Sequence, residues 1–172
     1  MKTPAVKWGV YALLFTFVWT LIEHFAGWNT TNHQTGQYAR MVGAYVFYLF
    51  IIVAIFQARA QQTGSLSFGQ GMKTGAIVSL IYSLGVTVWY CLYGEVINTQ
   101  FKPTLMAFEK AKLDAAHAGA DAVAAKMKEV DMTSGGSVMS YVFLFVFMFI
   151  GGIIISLLAS LVASLMKKKA AV

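Results

Sequence analysis

Cysteine is nearly absent from this chain: Cys91 stands alone among 172 residues, inside an apolar run. That count excludes a disulfide framework and a thiolate metal site, and the thiol reads as a small buried apolar side chain. Charge is also scarce. Only 12% of residues are Asp, Glu, Lys or Arg, against about a quarter in an ordinary soluble domain. The formal net charge of +6 is not gathered into a basic patch, so no nucleic-acid partner is expected. Metal ligands are equally sparse. His33 and His117 have no companions, and the adjacent Glu23 and His24 point about 100° apart on a helix. No metal and no cofactor are therefore expected. No nucleophile–base pair or pair of catalytic carboxylates comes with a supporting motif, so an enzyme is not expected.

Apolar side chains make up 58% of the chain, and they are concentrated in long uncharged runs, the pattern that encodes bilayer spans. The spacing predicts an all-α membrane protein with one domain over residues 1–172. Four spans are expected at about 8–27, 41–57, 75–97 and 138–166. Lys2 and Lys7 ahead of an apolar run resemble a signal peptide, but the run to Trp28 is too long and no Ala-x-Ala-like site follows it. It reads as a retained first helix. The second span is short; the fourth exceeds the ~20 residues needed to cross, so it should tilt or protrude.

Basic residues set the expected orientation. With the N-terminus cytoplasmic, the inside holds Lys2, Lys7, Arg59, Lys73, Lys167, Lys168 and Lys169 and no acidic residue. The outside holds six basic and six acidic residues, which cancel, with Glu23 left inside the first span. Both termini are therefore expected in the cytoplasm, and Trp8, Trp28, Tyr38 and Trp89 to Tyr93 lie toward span ends, where amphipathic rings prefer headgroups. Lys167 to Lys169 serve as a stop-transfer anchor or attract anionic lipid.

Between spans three and four, Leu105, Phe108, Lys112, Ala116, Ala120, Val123, Met127 and Val130 recur at three- and four-residue steps. They predict an external amphipathic helix over about 103–130. Pro103 suits its first turn, and Gly119 is the point where it weakens or divides. It packs as a cap or presents a partner-binding face.

Two stripes of small residues run at a four-residue period. One is Gly71, Gly75, Ser79, Ser83 and Thr87; the other is Gly152, Ser156, Ser160 and Ser164. Close approach through small side chains drives helix association in lipid, so the two faces are expected to meet, within one chain or across a homodimer.

Four polar residues lie near the outer ends of the spans: Glu23, His24, Arg40 and Glu95. Ionisable groups there pair with one another or line a wet cavity, and these four are expected to converge at one depth, with Glu23 paired to Arg40. The cluster reads as an ion pair tying helix ends, as a proton or cation site, or as a site for an anionic headgroup on Arg40. Nearby, Asn29-Thr30-Thr31 matches a glycosylation acceptor, a frequent and weak motif.

The segment joining spans two and three carries Arg59, Gly64, Ser67-Phe68-Gly69-Gln70, Gly71, Lys73 and Gly75. Its glycines suit a tight return into the membrane, with Phe68 dipping into the interface while Arg59 and Lys73 meet phosphates. This segment, with Pro4 and Ala5 before the first helix, Phe101 and Pro103 after the third span and lysines closing the fourth, resembles the domain-of-unknown-function family 4199. The resemblance covers essentially the whole chain. It implies small four-helix bacterial membrane proteins, mostly of Bacteroidota, with an inner-membrane location and no established activity to transfer. The favoured role is a non-enzymatic accessory or scaffold subunit of an envelope complex. The alternative is a small transporter or ion-conducting homo-oligomer, against which stands the restriction of mid-span polarity to Ser, Thr and Tyr. The expected partners are the bilayer and a second copy or another membrane protein.

Overall fold

The computed structural model describes residues 3–62 and 64–166, and all regular structure among them is helical. Six α-helices follow one another: α1 (Pro4–Phe25), α2 (His33–Ala60), α3 (Phe68–Leu92), α4 (Phe101–Ala115), α5 (Ala120–Thr133) and α6 (Val138–Leu165), with a π-helical turn at Tyr93–Ile97 continuing α3. Helices α1, α2, α6 and the continuous Phe68–Ile97 segment are long and apolar enough to cross a membrane. Lys2 and Lys167 to Lys169, on which part of the charge argument rests, lie outside the described residues.

Local chemistry explains the boundaries. Pro4 is not ahead of the first helix but opens it, at a position where a missing N–H costs nothing. Gly27, at φ +75°, ends α1: its N–H donates to His24 O while Trp28 N–H donates to Glu23 O, the paired bonds of a glycine-closed helix end. Asn32 then caps α2 by accepting from Thr35 N–H. With that cap the polar turn His33–Gln37 is already helical, so α2 runs to 28 residues although its apolar part is short. At about 1.5 Å per residue it is roughly 42 Å long, as is α6, beyond the ~30 Å hydrocarbon thickness of a bilayer.

The four long helices form an up-down-up-down bundle. Gly9 packs on Ile81 and Gly85 on Leu13, and Phe17 packs on Trp89 with ring centroids 4.0 Å apart. These contacts advance together along α1 and α3, so the two are parallel. Helix α3 is the centre of the bundle, with its most extensive packing against α6. At mid-height the Phe47 ring stacks on Tyr82 with centroids 3.9 Å apart, and the Tyr82 hydroxyl meets Thr16 Oγ1 at 3.1 Å.

The segment expected as one helix is a hairpin of two. Helix α4 closes on His117, whose φ of 52° is left-handed, with Ala118 N–H donating to Leu113 O and His117 N–H to Asp114 O. Gly119 then stands at the N-cap of α5. The chain therefore breaks just before the glycine. Lys102 Nζ ties the hairpin together through Asp131 Oδ1 at 2.7 Å, and Leu105 in α4 and Val130 in α5 are buried. His33 docks α4 on the start of α2, with Nε2 2.9 Å from Thr104 Oγ1 and its ring against Phe101 and Phe108.

Candidate functional site

The two small-residue stripes meet within one chain. Gly71 lies against Ser160, Gly75 against Ser156 and Gly152 against Ser79, so each glycine on one helix receives a serine from the other in an antiparallel register. A methyl group on Gly71 would stand 2.6 Å from Ser160 Oγ and 2.8 Å from its Cβ. Two of the hydroxyls are absorbed locally: Ser79 Oγ donates to Gly75 O at 2.8 Å and Ser156 Oγ to Gly152 O at 2.6 Å, whereas those of Ser83, Thr87 and Ser160 are buried with no partner among the described residues. Ser83, further along the stripe, is fully buried. Ser164 sits at the margin, half-buried, with Oγ donating to Leu161 O. Bonding to the preceding turn lets a hydroxyl sit in an apolar seam without a partner on the facing helix.

The segment before α3 departs from its expected role. Gly69 and Gly71 lie inside α3, where they make no turn. Gly71 is required by Ser160, whereas a Cβ on Gly64 or Gly69 would meet nothing within 4 Å. The reversal is made instead by Leu66, buried in the core cluster, and by a reciprocal cap in which Ser67 Oγ accepts from Gln70 N–H and Gln70 Oε1 accepts from Ser67 N–H. Phe68 and Lys73 are exposed. Arg59 Nη2 donates to Met166 O at 2.8 Å, which ties the end of α2 to the end of α6.

The polar cluster is at the opposite end of the bundle, beneath the α4–α5 hairpin. Glu23 is 1% exposed and Asn29 2%. The expected Glu23–Arg40 ion pair does not form; Asn29 stands between them. Its Nδ2 donates to Glu23 Oε2 at 3.1 Å, and its Oδ1 accepts from Arg40 Nη1 at 3.2 Å. An amide has both a donor and an acceptor end, so one side chain serves a carboxylate and a guanidinium that the backbone keeps apart. Burial of Asn29 in this role also removes it from the accessible surface a glycan acceptor needs. Glu23 Oε1 has no hydrogen-bond partner among the described residues.

Asn29 is held in turn by the π-helical turn. Asn98 N–H donates to Tyr93 O at 2.7 Å, and Tyr93, one helical step beyond the buried Trp89, points inward. Asn98 Nδ2 donates to Asn29 O and to the Tyr93 hydroxyl, each at 3.0 Å. His24 joins through that hydroxyl, with Nδ1 3.1 Å away. Such single turns often mark functional sites.

Glu95 belongs elsewhere. It is exposed, accepts from Tyr141 OH at 2.5 Å and Gly136 N–H at 2.9 Å, and so clasps the α5–α6 connection. Tyr93 is buried in the bundle, and Glu95, two residues on, is exposed. Three of the four expected residues are thus linked, through Asn29, Tyr93 and Asn98, which periodicity did not single out. The available signal was two asparagines in segments flanking otherwise apolar spans.

Arg40 also faces a cavity of about 260 Å³ between α2, α3, α6 and the hairpin. Tyr90, Tyr93, Phe101, Leu105, Leu144 and Met148 supply its apolar wall, Thr133, Ser134 and Ser140 add neutral polar side chains, and Arg40 is the one charged side chain among the described residues that line it. The guanidinium lies over the Phe101 ring, 5.5 Å from its centroid. Among the described residues no three His, Cys, Asp or Glu side chains gather as a metal site would require.

A family model described as a protein of unknown function (DUF4199) matches residues 7–169. The chain belongs to that family. No curated protein and no solved structure matches it. The family assignment agrees with the resemblance carried by the Phe68-Gly69 segment and the helix layout, and it brings no activity with it.

Proposed function

We propose that this family member is an integral membrane protein of the bacterial inner membrane, with both termini cytoplasmic and the α4–α5 hairpin outside. Within it the chain acts as a non-enzymatic accessory subunit of an envelope complex. The observation that carries this reading is the exposed face of α6. This helix is the most apolar of the four and buries the smallest share of itself. It is attached to α3 along its glycine–serine stripe, while Phe143, Phe147, Ile150, Leu157 and Leu161 face outward. Such a face suits acyl chains or the helix of a neighbouring subunit.

Orientation is tested by labelling single cysteines at Gln61 and Ala118 in a Cys91→Ser background: intact cells should expose Ala118 and protect Gln61, and the reverse pattern overturns the topology. The subunit role is tested by isolating the tagged chain from native membranes. A partner in fixed ratio, lost when Phe147 and Ile150 are both replaced by Ala in a still-folded bundle, supports it. A chain recovered only with lipid overturns it. A small transporter is the second reading, favoured by the buried Glu23–Asn29–Arg40 linkage, and requires solute flux into liposomes that Glu23→Gln abolishes.

A further inference from the structure

We propose that the cavity beneath the hairpin binds an amphiphile by its oxyanion head, a carboxylate or phosphate, with Arg40 as the counter-ion. The inference rests on the membrane setting of the bundle and is independent of any subunit role.

The argument begins with the unmet chemistry of Arg40. A guanidinium offers five N–H donors in a planar fork. Here only Nη1 has a protein acceptor among the described residues, the neutral Asn29 Oδ1. Arg40 makes no ion pair among them; the two that form are Lys102–Asp131 and Lys126–Glu129. Its other nitrogens are absent from the sealed, unpartnered polar atoms, a group that does include Arg59 Nε. They therefore remain reachable, and the space Arg40 lines is the cavity.

Glu23 does not fill this role. Its carboxylate is on the far side of Asn29, and Glu23 does not line the cavity. Asn29 fixes the guanidinium through one corner and leaves the rest of the fork free. That fork matches the two oxygens of a carboxylate or phosphate, and a cation in apolar surroundings is costly unless paired.

The walls decide the remainder of the ligand. Aromatic and aliphatic side chains, with a few neutral polar ones (Thr133, Ser134 and Ser140), surround one cation, the usual make-up of a small-molecule site, and leave no second charge for a polyanion. The volume is near the lower limit of about 300 Å³ for such sites. It suits the head and first carbons of a chain rather than a whole lipid.

The purified full chain in a neutral detergent can be titrated with dodecanoate, dodecyl phosphate and, as the uncharged control, dodecanol. Saturable one-site binding of the two anions is expected, at least tenfold tighter than of dodecanol. Arg40→Gln should bring the anions down to the dodecanol level, and Arg40→Lys should fall between. Leu144→Trp, which fills the cavity and spares Arg40, should weaken anions and alcohol alike. Competition by phosphatidylglycerol in nanodiscs, but not by phosphatidylcholine, identifies a lipid headgroup as the occupant. Anion binding without that competition identifies a free amphiphilic acid. Equal affinity for dodecanoate and dodecanol, or anion binding unchanged in Leu144→Trp or in a folded Arg40→Gln protein, overturns the proposal.

Discussion

The α3–α6 seam and the Glu23–Asn29–Arg40 junction both put polar atoms inside an apolar bundle, and they do so by opposite means. In the seam Ser79 and Ser156 bond their own preceding turns and the buried Ser83 and Ser160 hydroxyls have no partner among the described residues, so the facing helix has only to be small. Shape alone decides the contact. In the junction the partners are distant: Arg40 Nη1 donates to a loop residue eleven positions away, and Asn98 reaches back 69 positions to Asn29 O. A seam of the first kind tolerates loss of any one hydroxyl. A junction of the second kind depends on its central member, because removing one partner leaves a buried charge facing an apolar surface.

The largest effect should therefore come from Asn29→Ala. It strips hydrogen bonds from a carboxylate and a guanidinium at once and should cost about 3–5 kcal/mol, read as unfolding in detergent. A loss below that of any seam variant would put the two regions on an equal footing. Next is Gly75→Ala, whose new methyl meets Ser156 and Ile55; overpacking of this kind costs about 1–3 kcal/mol. Gly75→Leu should exceed it, while Leu161→Ala, on the exposed face of α6, should change little. Comparable losses at Gly75 and Leu161 would mean that the seam has no special standing.

A smaller effect sharpens the junction itself. In a double-mutant cycle, Glu23→Gln and Arg40→Gln should couple by about 1 kcal/mol, within the range for members of one network. In an Asn29→Ala background that coupling should change, because the amide is its carrier; an unchanged value would point to a direct interaction between the two charges. The smallest effect has the opposite sign. Gly69 lies in the first turn of α3 with open space where a Cβ would sit, so Gly69→Ala should stabilise by roughly 0.5–1 kcal/mol through a less flexible unfolded chain. A destabilised Gly69→Ala protein would restore a turn-forming role for that glycine.

Much of the architecture was legible because it repeats. Gly71, Gly75 and Ser79 on one stripe and Gly152, Ser156 and Ser160 on the other need only helical periodicity to be found, and helical periodicity is local. The junction was legible in part. Glu23, His24 and Arg40 drew attention as charged or titratable groups near span ends, and they are indeed linked. The direct pair did not form because the glycine-closed end of α1 and the Asn32 cap of α2 place Asn29 between them. Glu95 was assigned to the wrong company because its depth was weighed and not its face: two residues beyond the buried Tyr93, it lies on the opposite side of the helix. The α4–α5 break was anticipated at Gly119 but falls at His117, where a non-glycine residue takes the left-handed conformation.

By itself, then, the sequence determined the four long helices: their number, their apolar length and the stripes by which α3 and α6 approach, since each depends on residues a turn or two apart. The tertiary structure alone decided which small residue faces which. It also decided that an asparagine joins Glu23 to Arg40, and that a cavity opens beside the guanidinium. Those depend on how two loops and one irregular turn bring distant segments together, and no local period encodes such a meeting.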